Sequence, residues 1–162
     1  MPGETAPAHR HVAFAMRFII EGTGGFTAVQ GNRITMQRGD VILTPSWNWH
    51  DHGKDGSGPM VWHDSLDLPL YRHFSTHFVE HFKDARYPAK GVDSSTSQMV
   101  FRWSRMQARL DKEDEDWVRF RYLTAAGNEG QSTFYCNLHI ALCILHARLL
   151  TWHQSVDHLT FK

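Results

Sequence analysis

The sequence predicts a mainly β protein, an antiparallel sandwich or barrel, followed by a partly helical C-terminal segment. Three observations carry this. Short apolar runs broken by glycine turns fill the chain from Val12 to about Asp67. The apolar spacing then lengthens to four residues after Pro69, and the remaining chain mixes polar stretches with longer amphipathic runs.

Taken in order, "AFAMRFIIEG" reads as a strand ending at Gly22. The turn signals "TGG" and "GN" separate "FTAVQ" from "RITMQ". "RGD" turns into the short apolar strand "DVILTP", which Pro45 stops. "GKDGSG" is another turn, and "PMVWHDSLD" a further strand. Five or six strands are therefore expected between Val12 and Asp67. A closed barrel or jelly roll takes roughly 8, so closure needs strands from later in the chain or from a second subunit.

From Pro69 to about Asp84, Leu70, Phe74, Phe78 and Phe82 recur every four residues and predict a helix. Residues 85–98, "ARYPAKGVDSSTSQ", read as a linker and "MVFRWSRMQARLDKEDED" as a second helix. "WVRFRYLT" is compatible with a strand, and "FYCNLHIALCILHARLL" with a strand or a helix.

The 17 basic and 17 acidic residues balance, and no dense basic run exists, so neither nucleic acid nor an anionic membrane is an expected partner. Cys136 and Cys143 make no disulfide framework or CxxC motif, which fits a reducing cytoplasm. "MPGETAPAHRH" lacks the apolar core of a signal peptide, and "IALCILHARLL" is too short to span a bilayer.

The 12 histidines are the unusual part of the composition. In an extended strand His9 and His11 point to one face and can share a metal. A third ligand is expected from a neighbouring strand, where "PSWNWHDHG" offers His50 or His52. The plain alternative for such an HxH pair is surface histidines near a turn. His73, His77 and His81, spaced by four, could bind zinc on a helix, but Phe74 and Phe78 stand where a zinc protease carries its glutamate. A helix flank beside the phenylalanine stripe is the preferred reading of these three.

The surroundings of these histidines resemble the two cupin motifs. Gly3, His9, His11 and Gly22 fit the first, with Ala15 in the glutamate place; Gly39, Pro45 and His50 fit the second, with Trp47 in a glycine place and Lys54 in the asparagine place. "HRHVAFAMRFIIEG", "TPSWNWHDHG" and "VWHDSLD" further resemble gentisate 1,2-dioxygenase and its salicylate and 1-hydroxy-2-naphthoate relatives, over Pro2 to about Phe74. "WVRFRYLTAAGNEG" weakly resembles the segment joining the two cupins of that family.

The resemblance implies a cupin-type jelly roll (double-stranded β-helix) holding Fe(II) through His9, His11 and His50. It implies ring opening of a hydroxylated aromatic carboxylate with O₂; the strand shortfall, where a second subunit makes it up, leads to the expectation of a homo-oligomer. It also implies substrate-side roles for Arg17, His52 and Asp64: Arg17 pairing with a carboxylate or developing oxyanion, His52 facing substrate or oxygen, and Asp64 orienting a histidine or ring hydroxyl. A surface ion pair for Arg17 and a turn cap for Asp64 are the plain alternatives. Trp47 and Trp49 are read as scaffold that stiffens the loop.

"LLTWHQSVDHLTF" resembles the opening of a second cupin. The expected organisation is thus a cupin core over 1–68, a helical and linker segment over 69–132, and the start of a second cupin over 133–162, in a chain truncated at both ends. The alternative to an enzyme is a non-catalytic cupin that binds metal or a small molecule.

Overall fold

In the computed structural model, the structure describes residues 4–91, 97 and 99–113. The stretches read as a second-cupin opening and as the segment joining two cupins lie outside these residues. The chain divides into two units, Met1–Arg105 and Met106–Lys162. The first unit holds two sheets and the candidate site.

The strands begin with β1 (Thr5–His11), β2 (Ala15–Gly22), β3 (Gly25–Val29) and β4 (Asn32–Thr35). β5 (Val41–Thr44), β6 (His50–Lys54) and β7 (Met60–Leu66) follow. After α1 (Leu68–His73) come β8 (Val79–His81), β9 (Lys90–Gly91), β10 (Val100–Phe101) and α2 (Trp103–Leu110). One sheet runs β8-β1-β6-β3-β4-β9 and the other β10-β5-β2-β7. The expected strands between Val12 and Asp67 are all present, and the jelly-roll architecture is borne out.

Ile34 of the first sheet meets Ile19, Ile42 and Val100 of the second in a core completed by Met36. Burying such branched side chains stabilises each by about 1.5–3 kcal/mol. The β3–β4 hairpin turns on Gln30 and Gly31, both at positive φ (47° and 83°), which matches the right-handed twist of the strands. Gly39, at φ +84°, precedes β5, and a Cβ there would lie 2.6 Å from Cγ of Trp103. Glycine is therefore required both by backbone conformation and by the close approach of the Trp103 indole.

The helix expected over Pro69–Asp84 is corrected. α1 ends at His73, Ser75 takes a positive φ of 54°, and the chain continues as β8. A spacing of four is a multiple of two, so the phenylalanines fit strand alternation as well as a helix. The backbone groups of β8 find partners on β1, and Phe74 and Phe78 stay largely exposed at 64% and 60%. The linker reading of 85–98 is corrected in part, because Lys90 and Gly91 pair in parallel with Asn32 and Arg33. The second helix is present but starts at Trp103, after the strand residues Val100 and Phe101 that pair with β5. The strands needed beyond β7 come from these stretches.

Asp40 fixes that later return of the chain. It is buried and accepts hydrogen bonds from the Trp103 N–H at 3.0 Å and the Gln37 N–H at 3.1 Å, and it pairs with Arg102. In the second unit, Gln107 Nε2 donates to Asp111 Oδ1 at 2.6 Å along α2.

Candidate metal centre

β1 and β6 lie side by side, and their register sets His9 opposite His50. Alternation places His9 and His11 on one face, so three imidazoles converge. Their ring centroids are 4.4 Å apart for His9–His50, 4.8 Å for His11–His50 and 5.5 Å for His9–His11. Each offers one nitrogen, and the three nitrogens all lie within 4.8 Å of one another.

Each ring is also oriented by a backbone carbonyl. Nδ1 lies 2.7 Å from Pro7 O in His9, 2.7 Å from Ala13 O in His11 and 2.8 Å from Asn48 O in His50. Donation from Nδ1 makes Nε2 the free, lone-pair-bearing nitrogen of a neutral imidazole, the form that ligates a metal. Nε2 of His50 is buried without a hydrogen-bond partner, an arrangement whose cost a ligated cation would remove. The donor set therefore fits a divalent transition-metal ion, with three imidazoles on one side and positions left over on the other.

His52 follows on the same face of β6, its ring 5.7 Å from that of His50 and 6.2 Å from Trp62. It is buried, and its Nδ1 has no partner. Asp51, between them, points to the other face. Its carboxylate takes the Arg86 guanidinium at 2.7 Å and the Tyr87 N–H at 3.0 Å. Arg86 and Tyr87 belong to the stretch read as linker, and nothing local in the sequence announces this clamp on β6.

Arg17 is 3% exposed. Its Nη1 donates to Thr44 Oγ1 at 2.5 Å, and its Nε lies 3.1 Å from Asp64 Oδ1 on the facing strand. Asp64 also accepts from Trp62 Nε1 at 3.1 Å. Asp64 thus ties the Arg17 guanidinium to the Trp62 indole. The surface-pair alternative for Arg17 does not describe this buried guanidinium.

Burial pushes the His50 pKa down from 6.5 to about 3, against the pull of the Asn48 carbonyl, with the charges of His9, Arg17 and His11 adding to the fall. Burial likewise holds His52 well below its ordinary value, with Arg17 and His50 next in effect. His11 is lowered chiefly by burial, opposed by the Ala13 carbonyl. All three are thus ready to ligate or accept at neutral pH. Above pH 6.5 the folded and unfolded chains both carry these histidines neutral. Below it the unfolded chain takes up more protons than the folded one, so stability falls as pH falls. Each unit of acidification should cost up to about 1.4 kcal/mol per buried histidine, continuing towards pH 3 for His50. Urea midpoints of the metal-free chain at pH 7, 6 and 5 test this, and a flat profile would contradict it.

Trp47 and Trp49 lie away from the metal-facing side, where the Arg10 guanidinium sits over both rings at 4.6 and 4.5 Å. Arg10 also pairs with Glu80 at 2.6 Å, and Trp49 stacks on Tyr87. Both tryptophans act as scaffold. Trp47, standing in the motif's glycine place, adopts the left-handed conformation (φ 61°) that glycine would favour there.

A cavity of about 370 Å³ opens beside the triad, bounded by His9, His11 and the apolar Pro7, Ala13, Leu66 and Leu68. Val79, also on its wall, is 46% exposed, so the cavity meets solvent.

The cupin domain sequence profile matches residues 1–68. These residues have the cupin jelly-roll fold. The chain is 38% identical over 139 residues to a gentisate 1,2-dioxygenase of Aquipseudomonas alcaligenes, a match covering 72% of this chain and 40% of the relative. It is 57% identical over 70 residues to one from a Ralstonia species, covering 43% and 20%. A salicylate 1,2-dioxygenase from Pseudaminobacter salicylatoxidans superposes with a TM-score of 0.64 at 30% identity, over 80% of this chain and 47% of that one. That enzyme has also been solved as adducts with gentisate. The chain spans less than half the length of these relatives. Among the described residues, no helix is long and apolar enough to cross a membrane.

Proposed function

We propose that this cupin is an Fe(II)-dependent ring-cleaving dioxygenase acting on a hydroxylated aromatic carboxylate of the gentisate type. The observation that carries the reading is the convergence of His9, His11 and His50, each with Nδ1 committed to a carbonyl and Nε2 free. Its sequence likeness to gentisate and salicylate dioxygenases supports it.

His9, His11 and His50 would hold the iron, which when bound would supply the chemistry that activates O₂ towards a ring bearing adjacent carboxylate and hydroxyl groups. The three neutral ligands leave the ion's charge uncompensated, which favours an anionic bidentate substrate. Arg17 adds a fixed positive charge to the same environment and would hold a carboxylate or a developing oxyanion. Asp64 and Thr44 keep that guanidinium in one position. His52, neutral and with a free buried nitrogen, can take or return a proton beside the substrate. We place the enzyme in the cytoplasm, as a homo-oligomer.

The test is anaerobic loading with Fe(II), then gentisate and O₂. Oxygen uptake with new near-UV absorbance from a ring-opened acid is expected. Folded, iron-loaded protein that consumes no O₂ with gentisate, salicylate or 1-hydroxy-2-naphthoate would reject the reading. The open cavity wall favours one second reading, a non-catalytic cupin that binds metal or a small acid. That protein would bind the acid and leave O₂ untouched.

A further inference from the structure

Two histidines outside the triad share a cavity with His9 and His11. β8 pairs antiparallel with β1, so His81 lies opposite His9 and Val79 opposite His11. His81 and His77 both line the cavity, and the His81 ring centroid is 6.2 Å from that of His9. The other non-triad walls are apolar: Leu66, Leu68, Val79 and Ala13. A flat ring anchored at the triad would slide along those apolar walls and bring its far edge within reach of the two imidazoles. A polar substituent there loses water, and in an otherwise apolar slot it binds well only where a partner is supplied. Imidazole is suited to that role because it offers both a donor and an acceptor nitrogen.

We propose that His77 and His81 are a specificity-determining pair that hydrogen-bonds a second polar substituent of the aromatic acid, favouring rings that carry one over rings that do not. The inference rests on the ring-cleaving reading of the site. It deepens that reading by naming what selects among aromatic acids.

Calorimetric titration of Fe(II)-loaded protein under nitrogen separates the two ideas. Gentisate carries a further ring hydroxyl and salicylate lacks it. Replacing both histidines (His77→Leu with His81→Leu) should weaken gentisate about tenfold, the scale of one or two lost hydrogen bonds, and leave salicylate unchanged. His77→Gln with His81→Gln should restore most of the gentisate preference, since the amide can donate and accept. Bound iron, measured on each sample, should stay at the wild-type level. If leucine beside His9 lowers the iron content, His77→Leu alone carries the same comparison. Equal weakening of both acids, or no change in either, overturns the pair's role while leaving the ring-cleaving reading intact. Wild-type protein that binds neither acid overturns both.

Discussion

His50→Ala should abolish iron retention, whereas His52→Ala should keep the metal and lose turnover. The two residues lie two apart on β6 and face the same side, so composition alone does not separate them. Their neighbours do. The His50 ring lies 4.4 and 4.8 Å from those of His9 and His11, and its Nδ1 is committed to the Asn48 carbonyl. His52 is outside the group of three converging nitrogens. Changing the partner of a ligating histidine already costs about 10–100-fold in metal affinity, and loss of the ligand itself should exceed that. Metal content after dialysis against a weak chelator, with O₂ uptake on the same samples, reads both effects. Equal metal loss in the two variants would show that the ligand has been assigned to the wrong histidine.

Asp40→Ala should destabilise the first unit by about 3–5 kcal/mol, the cost of removing one partner from a buried pair. Burial raises the pKa of this carboxyl despite the Trp103 N–H and Arg102 that oppose the shift, so the ion pair is not where the stability arises. The cost comes from what is stranded. Without the carboxylate, the Trp103 and Gln37 N–H groups and a largely buried Arg102 lose an acceptor together. Asp40→Asn keeps the shape and one acceptor and should cost less. Urea unfolding of both variants tests the order, and an alanine variant within about 1 kcal/mol of wild type would contradict it.

How much of this was legible in the sequence depends on how far apart the interacting residues lie. The β1 histidines were legible because strand alternation is a local rule and fixes their common face. Strand alternation left His50 and His52 open, and only the likeness of Gly39, Pro45 and His50 to the second cupin motif favoured His50; Trp47 fits that motif because the backbone turns left-handed there even without glycine. β8 was not legible. Its period of four satisfied a helix and a strand equally, and the decision was made by hydrogen bonds to β1, about seventy residues earlier. The Arg86 clamp on Asp51 spans thirty-five positions and leaves no periodic trace. For Arg17 the resemblance implies a substrate-side role, but its dependence on Thr44 and Asp64 emerges only from the pairing of three strands.

The two faces of β1 carry a consequence for how this stretch can vary. Pro7, His9, His11 and Ala13 all line the cavity, while Arg10 between them belongs to the stack of Trp47, Trp49 and Glu80. Odd positions hold the chemistry and the even position holds the wall behind it. Exchanging one side chain disturbs one of these surfaces. Gaining or losing a single residue between His9 and His11 would put the two imidazoles on opposite faces, turning one of them out to the tryptophans. Parity is the inherited quantity here, and this strand should accept many substitutions before it accepts one frame shift of a single residue.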